Sequence, residues 1–153
     1  MAKNITFCGV SVALSVLMLM LTNVLPFNTA VLVCGATVVY PLVKIKCGGG
    51  YAFAAFAAGA LLSFILLVDK FLWAGFLLLA LYSVIKGYIE RIVNLPLEIL
   101  AKAAVYTFGA VIMFSIFRGA AFAAVFVSGA AVFAIYDIFL SFFITFIRKK
   151  LRF

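Results

Sequence analysis

The chain has 153 residues, of which 69% are hydrophobic and only 10% charged, and its mean hydropathy is +1.38. Soluble domains carry about 25% charged residues, so a water-soluble fold is excluded: the polar side chains needed to cover its surface are missing. The net charge of +8, from 12 Lys+Arg against 4 Asp+Glu, reads as loop cations of an integral membrane protein and not as a nucleic-acid footprint, because no basic patch with interleaved aromatics lies outside the apolar runs.

Histidine is absent from the chain, which removes Ser-His and Cys-His nucleophile pairs and His-based zinc sites. The three cysteines, Cys8, Cys34 and Cys47, are an odd number without C-x-x-C spacing, so they read as small apolar filler and imply no metal site or disulfide framework. No catalytic residue, cofactor or metal site is expected.

In chain order, the first apolar run is Ile5–Leu25, about 32 Å long at 1.5 Å per residue and so long enough to span. It exceeds a signal-peptide core and lacks a small-x-small cleavage site before Pro26, so it reads as a retained first helix. Pro26 makes the turn, and Asn28 is placed to cap the next helix. The second run covers 29–43, with Pro41 expected to kink or end it. Lys44-Ile45-Lys46-Cys47-Gly48-Gly49-Gly50 reads as a flexible connector, since it lacks the order of a phosphate-binding loop. The third run is 51–68, Asp69-Lys70 makes the next turn, and the fourth is 71–86. A charged elbow follows, carrying Lys86, Glu90, Arg91 and Glu98, with Pro96 in the first turn of the fifth run, 97–117. Arg118 marks a tight turn. The sixth run, 119–147, contains Asp137 and ends in Arg148-Lys149-Lys150-Leu151-Arg152.

The expected fold is all-α: a single polytopic membrane helical bundle over residues 1–153, with six transmembrane helices. Lys3, Lys44, Lys46, Lys86, Arg91, Lys102, Arg148, Lys149, Lys150 and Arg152, ten of the twelve basic residues, fall on one side of that topology, leaving Lys70 and Arg118 on the other. The positive-inside rule then places both termini in the cytoplasm of a bacterial inner membrane.

Small residues that let helices approach stand at i, i+4 in Gly9/Ala13, Ala54/Ala58, Ala55/Gly59 and Gly119/Ala123; they serve either internal packing or the docking of a second membrane protein. Asp137 lies about 15 Å along its helix from Ile147, near mid-membrane. A carboxylate there must be protonated, paired or facing a cavity, and Lys102, entering the fifth run from the same side, is the expected partner. Tyr136-Asp137 matches half of the intramembrane aspartyl-protease signature, but the Gly-x-Gly-Asp half is absent. At the outer ends stand Asn23, Asn28, Asp69, Lys70, Trp73 and Arg118, where the two cations would favour an anionic solute.

Tyr82-x-x-x-Lys86-x-x-x-Glu90-Arg91, followed by Pro96-Leu97-Glu98-x-x-x-Lys102, resembles small bacterial six-span proteins similar to the substrate-binding S-components of energy-coupling factor (ECF) importers. The resemblance implies capture of a vitamin-like solute at the outer face. It also implies coupling to a transmembrane subunit with separate ATPases through a small-residue face of the first span, here Gly9-x-x-x-Ala13. The alternatives from the residues are a non-catalytic accessory or scaffold membrane protein, and a proton-coupled carrier or channel using Asp137.

Overall fold

The computed structural model describes residues 2–25, 28–89, 95–116 and 122–151. Among the described residues the chain is all-helical: α1 Ala2–Val24, α2 Thr29–Cys47, α3 Gly49–Leu66, α4 Lys70–Ile89, α5 Leu95–Ile116 and α6 Phe122–Leu151. Among the described residues four segments are long and apolar enough to cross a membrane, namely Ala2–Val24, Thr29–Cys47, Gly49–Leu66 and Gly129–Ile147, and Ile99–Val111 is a shorter apolar helix. The protein is thus of the helical membrane type. The chain divides into two compact units, Met1–Gly87 and Tyr88–Phe153.

In the first unit, α1 buries Ser11, Val12, Ser15, Val16, Leu19 and Thr22, an i, i+4 stripe facing α2 and α3. Phe7, Cys8 and Met18 flank that stripe half-buried, and the opposite face, including Val10, Leu14 and Leu17, is exposed, as a helix bathed in hydrocarbon requires. Tyr40 of α2 is 1% exposed and occupies the middle of the unit. Its hydroxyl lies 3.2 Å from Ser15 Oγ, and Ser15 in turn donates to the Ala36 carbonyl at 2.9 Å. Since the Ser15 proton is engaged, Tyr40 is the donor in the first bond. The Tyr40 ring meets Phe56 of α3 edge-on at 6.3 Å and Phe76 of α4 at 6.1 Å. Gly59 of α3 faces the same ring, and a Cβ there would overlap the Tyr40 hydroxyl. Of the two small pairs in α3, Ala55/Gly59 is therefore inside the packing and Ala54/Ala58 is exposed.

Proline at 41 does not end α2, one of the two outcomes expected of it, and the helix runs on through Lys44, Ile45 and Lys46 to Cys47. Without an N–H, Pro41 cannot bond the carbonyl four residues back, that of Thr37. The one hydroxyl proton of Ser83 on α4 is shared between the Ala80 carbonyl of its own helix at 2.8 Å and that Thr37 carbonyl at 3.2 Å. A neighbouring serine thus offers part of a hydrogen bond to the carbonyl the proline cannot serve, a known way for membrane helices to tolerate proline. The expected connector shrinks to Gly48, whose φ of +99° suits glycine and separates α2 from α3. Asn28 occupies the N-cap position of α2 but makes no side-chain capping bond, a second departure from expectation.

In the second unit, α5 and α6 pack antiparallel in a four-residue register. Lys102 faces Asp137, and one turn on Tyr106 meets Phe133 with ring centroids 5.2 Å apart. A Cβ at Gly129, the next turn of α6, would come 2.9 Å from the Tyr106 hydroxyl. The helix α6 has 30 residues, about 45 Å, so it tilts in or protrudes from a hydrocarbon layer about 30 Å thick. Its helical structure continues past Ile147 into the basic tail.

Replacing Gly59 by Ala forces the Tyr40 ring to move and should cost about 1–3 kcal/mol, the usual range for overpacking. Tyr40→Phe should cost only about 0.6 kcal/mol, a typical interhelical hydrogen bond in a membrane. Gly9→Ala should be neutral, because a Cβ there meets nothing within 4 Å. Reversible unfolding in mixed micelles ranks the three; equal losses for Gly59→Ala and Gly9→Ala would refute the packing described.

Candidate functional site

Four groups of residues carry the chemistry that the sequence offers, and the structure treats them differently. Among the residues expected at the outer ends, Asn23 and Asn28 are exposed at the end of α1 and the start of α2. Asp69, also exposed, precedes α4, and its Oδ1 accepts the Phe71 N–H at 2.9 Å. That is the N-cap arrangement of an aspartate that closes a free helix start. Lys70 bends back: its Nζ donates to the carbonyls of Phe64 at 2.6 Å and Leu67 at 3.0 Å, and sits 4.4 Å from the Phe64 ring centroid. A cation at the C-terminal end of α3 meets carbonyls that have no helical partner, with the helix dipole in its favour. Trp73 stacks edge-on with Phe64 at 4.9 Å, and its indole N–H donates to the Ala60 carbonyl at 3.0 Å. Asp69, Lys70 and Trp73 together build the α3–α4 turn, and the polar atoms expected to face a solute hold backbone groups. Arg118 lies outside the described residues.

The second group is the pair within the apolar helices. Lys102 Nζ stands 3.0 Å from Asp137 Oδ2, with the two side chains 19% and 18% exposed. Asp137 is near the midpoint of α6, and its backbone carbonyl accepts Ser141 Oγ at 3.0 Å. The arrangement neutralises both charges where isolated ones are most costly, and it fixes the register between α5 and α6. A charge pair at this depth can clamp two helices, or release a proton if one partner is drawn away.

The third group is the small-residue face of the first span. Gly9 and Ala13 are both exposed on α1, outside the packing of the first unit. The fourth is the charged elbow. Lys86 is not at a solvated surface: it is 0% exposed, with its ammonium 5.8 Å from the Tyr82 ring centroid. Glu90 and Arg91 lie outside the described residues, as does the side chain of Glu98.

Three arrangements are missing from the expectations drawn from the residue pattern. Lys44, assigned to a connector, instead reaches from α2 to the Val84 carbonyl of α4 at 2.6 Å. The Ser83–Thr37 bond had a signal, since a proline inside an apolar run announces a bare carbonyl four residues earlier. The Cys47 thiol at the end of α2 donates to the Asn4 carbonyl of α1 at 3.9 Å, with no local spacing to reveal it. Among the described residues no group of three or more His, Cys, Asp or Glu stands together.

The pair is tested by a double-mutant cycle. Asp137→Leu or Lys102→Met alone strands a charge and should cost about 2.5–3.5 kcal/mol on insertion scales. The joint Lys102→Met, Asp137→Leu variant should recover most of that loss, because an apolar replacement of a buried pair is often neutral. Additive losses, measured by unfolding in micelles, would mean that the two residues act apart.

The chain matches no protein-family model, no curated protein and no solved structure.

Proposed function

We propose that the chain is a six-span, non-enzymatic subunit of the cell inner membrane, with both termini cytoplasmic, that works through a second membrane protein docked on α1. The observation that carries the docking is the contrast between two small-residue pairs. Ala55 and Gly59 are used inside the bundle, whereas Gly9 and Ala13 are exposed on α1. Helices in lipid associate through such close approaches, so the face fits a partner helix carrying small residues of its own.

The proposed orientation draws on the charge asymmetry of the first unit. Lys46 lies 4.1 Å from the Phe7 ring centroid, and Lys44 bonds α4 at Val84. The N-terminal end of α1, with Lys3, and the C-terminal ends of α2 and α4 are thus together. That end carries Lys3, Lys44, Lys46 and Lys86, and the opposite end carries Lys70 among the described residues. The positive-inside rule assigns the first end to the cytoplasm.

An S-component is the specific form of this reading in which a vitamin-like or anionic solute enters from outside and a separate ATPase-driven partner energises uptake. At the proposed outer end of the first unit, Lys70 already serves two carbonyls and Trp73 a third. Asp69, exposed beside them, repels anions. This favours the scaffold form, in which the subunit docks a partner without capturing a solute. The Lys102–Asp137 ion pair likewise favours a structural clamp over a proton-coupled carrier.

Two experiments test the reading. A photo-crosslinker at position 9 or 13 in native membranes should capture one discrete membrane protein, whereas the same probe at exposed Leu61 of α3 should capture lipid. Gly9→Leu with Ala13→Leu should abolish the capture and change stability by less than about 0.5 kcal/mol, as expected for sites away from the packing. Indistinguishable products from positions 9 and 61 would overturn the docking. Compartment-specific reporters should be active outside when fused after Asp69 and inside when fused after Cys47; the reverse result would overturn the topology. Thermal stabilisation by an anionic vitamin would restore the solute-binding form.

A further inference from the structure

The end of α6 joins an apolar stripe to a cluster of cations. The membrane-length segment closes at Ile147, and the helix runs on through Arg148, Lys149 and Lys150 to Leu151. The sequence adds Arg152, and no acidic residue follows Asp137. At about 100° per residue, Phe139, Phe142, Phe146, Lys149 and Lys150 fall within an arc of about 100°. All five are exposed. Their stripe lies away from the face that carries Asp137 and Phe133 to α5. With Lys102 opposite Asp137 and Tyr106 opposite Phe133, Leu95 at the start of α5 stands level with Ile144. The last turns of α6 therefore run about 10 Å beyond that residue.

We infer that this end of α6 binds an anionic phospholipid of the leaflet in which it stops. The headgroup phosphate sits against Lys149 and Lys150, and an acyl chain lies along Phe146, Phe142 and Phe139. Charge decides the headgroup: four cations within residues 148–152, with no carboxylate after Asp137, suit a lipid whose phosphate charge no choline or ethanolamine cancels. Each such cation beside a membrane surface enriches anionic lipid by about fivefold. The aromatic stripe favours a lipid over a soluble anion. From Phe139 to Phe146 it runs about 10 Å, most of the depth of about 15 Å in one leaflet. Lys150 Nζ lies 5.7 Å from the Phe146 ring centroid, which holds the ammonium where hydrocarbon gives way to headgroups. Cations at the last turn also oppose the helix dipole, but that role is indifferent to the headgroup. The inference holds for either orientation of the chain and does not rest on the docking proposed for α1.

The test reconstitutes the purified full-length protein in phosphatidylcholine nanodiscs. These are doped with either phosphatidylglycerol or phosphatidylcholine carrying a photoactivatable acyl chain, and the labelled peptides are mapped. Labelling of residues 139–150 should be more than about tenfold stronger with phosphatidylglycerol. At exposed Leu14 of α1 the two lipids should label equally. Lys149→Gln with Lys150→Gln should lower the preference at least about fivefold, whereas Lys149→Arg with Lys150→Arg should keep it. Equal labelling of 139–150 by the two lipids would overturn the inference and leave the lysines to an acidic protein partner. A preference untouched by the glutamines would overturn it as well. Inorganic phosphate in place of chloride at constant ionic strength should leave the preference intact; its loss would assign the lysines to a soluble anion and overturn the inference. Because the comparison of two lipids on the unsubstituted protein decides the matter, a variant that fails to fold does not obscure it.

Discussion

The first unit depends on the seating of Tyr40. In lipid the surroundings of a helix are as apolar as its neighbours, so burial of greasy side chains gives little reason for helices to meet. Close packing and internal hydrogen bonds must supply it. Tyr40 does both: its ring touches Phe56 and Phe76, its hydroxyl engages Ser15, and Gly59 leaves the space that the hydroxyl needs. One side chain of α2 thereby contacts α1, α3 and α4. The ring fits only because α3 presents a glycine at that height.

The same shortage of water explains how the polar atoms are spent. Among the described residues every buried side-chain nitrogen or oxygen has a hydrogen-bond partner. Several of these bonds repair a defect of the backbone. Ser83 covers the carbonyl bared by Pro41, Lys70 covers the last carbonyls of α3, and Asp69 covers an open N–H of α4. A polar residue in an apolar chain draws attention as a ligand group, yet the backbone competes for it first. This competition moves the proposed function from solute capture towards docking, because small residues such as Gly9 and Ala13 on α1, and Ala54 and Ala58 on α3, are left exposed.

The second unit follows the same logic with charge. Lys102 and Asp137 neutralise each other, and Tyr106 repeats the contact one turn further on against Phe133 and Gly129. The four-residue spacing on both helices lets a single register satisfy the ion pair and the aromatic contact together. Slipping α6 by one residue would break both. Stability here rests on a polar contact of the kind that conformational mechanisms elsewhere exploit, which is why its depth in the helix matters as much as its length.

What the sequence alone determined was the class of the protein. Apolar content, run lengths and the scarcity of charge leave a helical membrane bundle as the only economical fold, because every backbone polar group in lipid must be satisfied within the element. The pairing of Lys102 with Asp137 was legible for the same reason: an isolated carboxylate at that depth demands a partner, and few cations are within reach. Helix ends were read less well, since α2 continues past Pro41, where Ser83 of another helix shares its hydroxyl proton with the Thr37 carbonyl that the proline cannot serve. Only the tertiary structure decided which small residues face inward, because Ala54/Ala58 and Ala55/Gly59 have identical spacing and differ only in rotation about α3. Lys70 and Trp73 likewise took backbone carbonyls of α3 and its turn, and Cys47 the Asn4 carbonyl of α1, through contacts between elements. Periodicity along one helix carries no information about what lies across from it.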